Sequence, residues 1–393
     1  MNGSSAVPYC SENGVNATDY SVWIQVTQCW MWMLTCVGSL GNLITIMVIL
    51  HQLYIGHVQR RRPWTLRQRN GSLFPVEKPV LPFEGHTLLL LHLSFCDLLY
   101  SAVNFPLTII AYGHALEGAT EELDRLCPVA AFLRYTNALA EWLTLGLLAF
   151  QRCVDLGRWR GTRFFKPAAT GFLIGGVWVV SVIFQVIPFF VSSEGYGYCG
   201  RNLRCDIIND NLRDLFFTLQ SCVPLILMVS GSIGILCHLR KSVDSEAAMI
   251  VPESSKRRLV KSSVIVFTLM LLFLVCVIPI CIHNVFLSDT VDSERIPTGI
   301  VLYMIYWLQY AVNFILYTVV SANFRSAYRR FFGLFLHACR SPGGRKVKHP
   351  SSIYHVPERI RYSKDSTCTP NDDFADNQLP CHATDSRETH TRY

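Results

Sequence analysis

Apolar residues gather along this chain in seven long windows, at roughly 23–50, 86–112, 127–155, 168–191, 213–240, 261–287 and 298–321. An α-helix needs about 20 residues to cross a hydrocarbon core, and each window is that long. The pattern predicts an all-α membrane protein, a seven-transmembrane helix bundle. The third window differs from the others. It reads CPVAAFLRYTNALAEWLTLGLLAFQR from Cys127 to Arg152 and carries Arg134, Asn137, Glu141 and Arg152 in an otherwise apolar run. Positions 134, 137, 141, 145, 148 and 152 share one face, because three- and four-residue steps keep side chains together. Ionisable groups in a spanning helix face protein or water, so this face points into the bundle and the other windows wall it in.

Composition agrees with a bilayer. Only 16% of residues are charged and 12% are aromatic, and the mean hydropathy is +0.29, too apolar for an ordinary soluble chain. A net charge of +7 raises nucleic acid as a partner, but no basic-aromatic patch stands apart from the spans, so no nucleic-acid partner is expected. The charge reads as topology instead. Residues 1–22 hold no Lys or Arg, whereas Arg60, Arg61, Arg62, Arg158, Arg160, Arg163, Lys166, Lys256, Arg257, Arg258 and Lys261 lie in alternate connections. The positive-inside rule then puts the N-terminus outside and the C-terminus inside. Two sequons, at Asn2 and Asn16, fall on that outer segment as glycosylation candidates. The start lacks the basic-then-apolar pattern of a cleaved signal peptide, so the first span is expected to insert the chain. The expected organisation is an extracellular N-terminus (1–22), a bundle (23–321) with a long first cytoplasmic loop (51–85), an amphipathic helix 8 (322–335) and a disordered cytoplasmic tail (336–393).

Several polar residues sit inside spans. Asn42 reads as a helix-to-helix hydrogen bond. Asp97 is a stronger signal, since a buried carboxylate needs a cation, a proton or a set of donors. Pro106 removes a backbone donor and is expected to bend the outer part of the second helix. Of 15 cysteines, most lie inside spans as small apolar residues. Cys10, Cys127, Cys199 and Cys205 lie where oxidation can occur, and four cysteines allow three pairings. No HExxH, P-loop or GxSxG is present, so the chain is not expected to be an enzyme.

Gly41-Asn42, LSFCDLL around Asp97, Cys127 followed twenty-five residues later by Arg152, Trp178 and Pro188, Pro224, Phe273 and Pro279, and Asn313 with Tyr317 occur in this order. Together they resemble the rhodopsin-like (class A) G-protein-coupled receptors over roughly 23–335. AFQRC and the short third loop look nearest to a melatonin-like and orphan group, while NFILY followed by FRSAYRRFF also resembles peptide receptors. Departures are plain. The acidic-Arg-Tyr triplet is Gln151-Arg152-Cys153, the Cys-Trp-x-Pro is Cys276-Val277-Ile278-Pro279, and the Asn-Pro-x-x-Tyr is Asn313-Phe314-Ile315-Leu316-Tyr317. Ser232 stands where a Tyr is usual, and Glu141 where a small polar residue faces Asp97.

The resemblance implies a G-protein switch made of Arg152, Gln151, Asn313, Tyr317, Phe273 and Pro279. Arg152 reads as a latch at the cytoplasmic mouth; snorkelling to the interface is the alternative. Gln151 brings no charge, so a weaker restraint and some basal activity are expected. Asp97, Glu141, Asn42 and Asn313 resemble the polar centre that holds a sodium ion in related receptors, the one cofactor implied. Oxygen ligands suit a hard cation, and a pair of carboxyls sharing a proton suits the same residues. Arg134 holds the third-span position that faces ligand, where a cation disfavours amines and favours an anionic group or a peptide acid; an internal ion pair with an outer-loop acid is the alternative. Tyr135, Asn284, Tyr303 and Trp307 complete the ligand-binding candidates, beside His283, Tyr306 and Tyr310, although an aromatic stripe at this spacing also suits plain packing. As in the family, Cys127 is expected to bridge to the second outer loop, at Cys205, leaving Cys199 to meet Cys10.

The connection from about His51 to Gly85 is long for the family and rich in Pro, Gly and Arg. It reads as a disordered insert that binds a partner or anionic lipid, or as an unspliced gene segment. After the seventh span, Phe324, Ala327, Tyr328, Phe331 and Phe332 oppose Arg325, Arg329 and Arg330, an interfacial amphipathic helix on the lipid bilayer. Cys339 just beyond is a palmitoylation candidate. Ser363, Ser366, Thr367 and Thr369 offer phosphorylation sites for arrestin, and Thr391-Arg392-Tyr393 resembles a PDZ ligand. The expected function is a plasma-membrane receptor that couples an unknown extracellular ligand to heterotrimeric G proteins. Two rivals stand beside it: a scavenger that has lost coupling, and a transporter, against which the lack of an internal repeat speaks.

Overall fold

The computed structural model describes residues 17–61, 79–157, 164–191, 195–200, 203–244, 253–286 and 295–340. Most of the first connection, both sequons and the tail beyond Arg340 lie outside them. The main elements are α1 (Ser21–Arg61), α2 (Gly85–Glu117), α3 (Thr120–Gly157), α4 (Pro167–Val191), a hairpin of β1 (Tyr196–Cys199) and β2 (Arg204–Ile207), α5 (Asp210–Asp244), α6 (Glu253–Phe286), α7 (Arg295–Val320) and α8 (Ala322–Arg340). All the helices from α1 to α7 except α3 are long and apolar enough to cross a membrane. The exception is the helix that carries Arg134, Glu141 and Arg152. It packs against α2, α4, α5, α6 and both strands, so its charged face is enclosed by protein. Elsewhere Phe172, Phe190, Val191 and Ile226 are at least 65% exposed, a large apolar exterior that suits lipid rather than water.

Element edges follow local chemistry. Gly118 closes α2 at φ 68, with Ala119 N–H donating to His114 O at 2.9 Å, a Schellman-type ending. Two residues later α3 begins, with Glu121 and Glu122 in its first turn, where the helix dipole favours acids. The third helix therefore starts seven residues before the apolar window does. Just before Pro106, α2 contains a π turn at Tyr100–Asn104. The extra residue in that turn accommodates the proline's missing donor. Close approach between helices occurs at Gly231 of α5, where an added Cβ would lie 2.8 Å from the Ala149 backbone of α3.

Two boundaries need correction. The loop expected to begin at His51 is helical to Arg61, because HQLYIGHVQRR holds no proline and continues α1 for nearly three more turns. The amphipathic helix runs past 335 to Arg340, so the tail starts later than expected. Ser321 separates α7 from α8 and caps the latter, its Oγ accepting from Phe324 N–H at 3.3 Å. Arg325 then donates to Thr318 O at 3.2 Å and Val319 O at 2.7 Å, satisfying the last carbonyls of α7. Buried Phe324 and Ala327 form the apolar face, and Tyr328 and Thr45 share a 2.6 Å hydroxyl contact that ties α8 to α1. The side chain of Cys339 lies outside those described.

Candidate functional site

Three polar assemblies lie along the face of α3. At the hairpin end, Cys127 is bonded to Cys205, a bridge that spans 78 residues and pins β2 to the top of α3. Cys199 is also disulfide-bonded; Cys10, its expected partner, lies outside the described residues. The hairpin pairs Tyr196 with Ile207 and Cys199 with Arg204, and all of β2 is buried. It closes the mouth of the bundle. Tyr196 donates to Gln185 Oε1 at 2.8 Å, and Gln185 donates to Gln220 at 2.8 Å, so α4 and α5 hold the hairpin from one side.

Beneath it, Asp206 is the acceptor at the centre. Arg204 meets its Oδ2 at 2.7 Å, Tyr135 donates its hydroxyl to Oδ1, and Ile207 N–H donates to the same oxygen at 2.9 Å. Burial pushes this carboxyl up, but the guanidiniums of Arg204, Arg134 and Arg213 outweigh it and hold it at about 2. Arg134 donates to the Cys205 carbonyl and lies 5.0 Å from the centre of the Tyr135 ring. Arg204 sits 4.2 Å over Tyr303, whose hydroxyl accepts from Asn284 at 2.8 Å. Trp307 packs under Tyr303 with ring centres 5.8 Å apart. All five ligand-binding candidates thus gather in one assembly. Sequence reasoning missed Arg204 and Asp206; the signal was there in the RCD run beside the bridging cysteine.

At mid-depth, Asn313 donates to Asp97 Oδ2 at 2.8 Å, joining α7 to α2. Asn42 donates to Tyr310 O at 2.9 Å and Asn137 to Cys96 O at 2.9 Å. Glu141 faces Asp97. Asp97 Oδ1, both Glu141 oxygens, Asn42 Oδ1 and Asn137 Oδ1 are buried without a hydrogen-bond donor among the described residues. The facing carboxyls of Asp97 and Glu141 make an acceptor-rich pair that a hard cation or added protons would satisfy. Just below, Trp142 stands edge-on to Phe273, ring centres 5.4 Å apart. It supplies from α3 an aromatic contact to α6, where Val277 offers none. At the opposite end from the hairpin, Arg152 is buried and lies 3.5 Å from Asp155, and Gln151 is buried beside it. Tyr317 is fully buried and stacks on Phe324, ring centres 5.1 Å apart.

A further trio fixes α2 to α3 and α4. Trp178 donates to His92 Nε2 at 2.7 Å, and His92 Nδ1 lies 2.9 Å from Thr144 Oγ1, which itself donates to Ala140 O at 2.7 Å. With Nε2 accepting from the indole, the proton of the neutral ring is on Nδ1.

A seven-helix membrane bundle, with its polar residues aligned inside and a disulfide-pinned hairpin over one mouth, defines the receptor class. The family model for "7 transmembrane receptor (rhodopsin family)" matches residues 85–324, and the chain belongs to this family of signalling receptors, which are not enzymes. The chain is 22% identical over 327 residues to "Protein trapped in endoderm-1" of Drosophila melanogaster, covering 76% of this chain and 75% of that protein. It shares its fold with the crystal structure of squid rhodopsin, with a TM-score of 0.59 and 17% identity over 81% of this chain and 87% of that one.

Proposed function

We propose that the protein is a plasma-membrane receptor, N-terminus outside, that transduces an extracellular ligand bearing an anionic group to heterotrimeric G proteins. The observation behind the ligand class is the pair Arg134 and Arg204 at the hairpin, with one carboxylate, Asp206, bonded to Arg204 and Arg134 bonded to a carbonyl. Guanidinium forks match carboxylate and phosphate geometry. Movement of α6 against α3 and α7, which meet around Trp142, Phe273 and Tyr306, is the step that would carry ligand binding to the Arg152 end. Arrestin at the phosphorylated tail, a PDZ protein at Thr391-Arg392-Tyr393, palmitate at Cys339 and glycans at Asn2 and Asn16 complete the reading and rest on sequence motifs.

The test is ligand-free G-protein activation in cells, comparing the intact receptor with Arg152→Ala at matched surface expression. Output that falls in the variant supports coupling. Activation that is unchanged by the substitution overturns the role of Arg152, and a receptor silent to every G protein but competent in internalising cargo is the scavenger reading. Saturable flux that depends on Asp97 would mark a transporter instead.

A sodium ion belongs to this reading, held by Asp97 and Glu141 with Asn42 and Asn313 close by, because the unpartnered oxygens there fit a hard cation. When bound, the ion would neutralise charge at the bundle centre. The chain's own residues fix the rest: Asn313 orients Asp97, and Asn42 anchors the Tyr310 backbone. Proton sharing between the two carboxyls is the second reading of the same atoms. Melting of the purified receptor in sodium against N-methylglucamine, with chloride fixed, separates them.

A further inference from the structure

The charges beneath the hairpin do not balance. Two guanidiniums, Arg134 and Arg204, stand in the closed end of the bundle. Among the described residues one carboxylate, Asp206, is within ion-pair distance of either, and it bonds Arg204. Arg134 has five N–H donors and makes its hydrogen bond to a carbonyl, which carries no net charge. One positive charge is left over, on an arginine that is half-buried. A partly buried charge with no acid bonded to it favours a counterion.

A small cavity lies where that counterion would sit. It is lined by Arg134, Arg204, Tyr112, Thr108, Ala111 and Leu203, and its volume is about 10 Å³, room for about one water-sized particle. Tyr112 lines the cavity beside both arginines, and its hydroxyl donates to no protein group among the described residues, which leaves it a donor toward the cavity. Thr108 already donates to Asn104 O at 2.7 Å, so it contributes wall rather than a donor. Leu203 holds the fourth side. It is almost fully buried and adopts φ 51, the only positive φ outside glycine among the described residues. A branched apolar residue enters that region at a penalty that its surroundings must offset. Here the turn brings Arg204 back over Tyr303.

We propose that the cavity between Arg134 and Arg204 is a subsite for one small monoanion, with Tyr112 as the neutral donor. This deepens the reading of Arg134 as an anion-facing residue and rests on that reading for its location. A free halide and the acidic head of a larger ligand share this chemistry. The small volume favours the free halide over the bulkier head group.

The test uses the full-length receptor, purified, with its melting temperature read at fixed sodium concentration in chloride, bromide, acetate and gluconate. Anion that binds the folded state raises the melting temperature with concentration, and gluconate is too bulky for the cavity. Chloride and bromide are expected to raise it saturably over gluconate. In Tyr112→Phe, which keeps both charges, the half-maximal halide concentration should rise roughly tenfold, and in Arg134→Gln the halide response should vanish. A response to acetate alone would assign the subsite to an acidic head group and discard the free halide. Equal melting in all four salts, or a halide response undiminished in Arg134→Gln, would overturn the subsite altogether. Neither result touches G-protein coupling, which is read by a separate assay.

Discussion

Arg152 lies 3.5 Å from the carboxylate of Asp155, three residues further along α3. The residue before Arg152 is the uncharged Gln151, so the acidic partner of this arginine comes from the next turn instead. Three-residue spacing on a helix makes the two side chains neighbours. Asp155 is partly exposed and Arg152 is buried, so the pair contributes modestly, about 0–1 kcal/mol. That is enough to shift a two-state balance by up to about fivefold. Asp155→Asn is therefore expected to raise ligand-free G-protein activation by a few fold, and Arg152→Ala to lower it. Equal basal output from wild type and Asp155→Asn, at matched surface expression, would remove Asp155 from the restraint.

The Cys127–Cys205 bridge closes a long stretch of chain. Its loss should destabilise the receptor by about 2–4 kcal/mol, chiefly through the larger freedom of the unfolded chain. Cys205→Ser is expected to lower the melting temperature and to free β2, and hydrogen exchange across residues 204–207 would register the second effect. Unchanged protection there would mean that the Gln185 and Asp206 contacts alone suffice to seat the hairpin.

Asp206 gives that hairpin a pH dependence of known sign. Its carboxyl is held at about 2, below the ordinary 3.8. A depressed folded-state value stabilises the structure fully above about pH 4 and loses that stabilisation as pH falls through 2. The difference corresponds to about 2 kcal/mol. Exchange protection of β2 should hold between pH 7 and 5 and fall steeply below 4, and Asp206→Asn should be less protected at pH 7 with a flatter profile. A wild-type profile that already collapses near pH 6 would contradict the ion network.

Gly231 and Gly175 are both helical, and they predict opposite outcomes. A Cβ at Gly231 meets the backbone of Ala149, whereas nothing lies within 4 Å of one at Gly175. Gly231→Ala must push α5 from α3 and should cost about 1–3 kcal/mol. Gly175→Ala should be neutral or stabilising by up to about 1 kcal/mol through helix propensity. Thermal unfolding of the two variants in one detergent decides the matter.

The seven helices were legible because lipid demands long apolar runs, and six of the seven announce themselves that way. The third also read as an apolar window, and Arg134, Glu141 and Arg152 at helical spacing marked the face that must turn inward. Edges were less legible. HQLYIGHVQRR reads as polar loop by composition, yet nothing in it stops α1. Thr120 precedes the third apolar window by a charged turn that only the Gly118 ending of α2 explains. The bridge from Cys127 to Cys205 came from the family resemblance, and the structure contains it. The hairpin did not show in the sequence, since two four-residue strands carry too little alternation to stand out. Arg204 and Asp206 were missed with it, because their meaning depends on being folded back under the mouth. An outer-loop acid paired with Arg134 was one alternative; Asp206 lies in that loop, but its ion pair is with Arg204.

The π turn in α2 has a bearing on every comparison made through that helix. One extra residue within Tyr100–Asn104 sets all later positions back by about 100° around the axis, since an α-helix turns by that angle per residue. Phe105, Thr108 and Tyr112 therefore point where the residues one place earlier would point in a regular helix. Aligned without a gap against a relative whose second helix has no such turn, everything from Phe105 to Glu117 would be assigned to the wrong face. A one-residue offset opened between Leu99 and Phe105 restores the phase, and inferences drawn from homologues about the outer half of α2 depend on it.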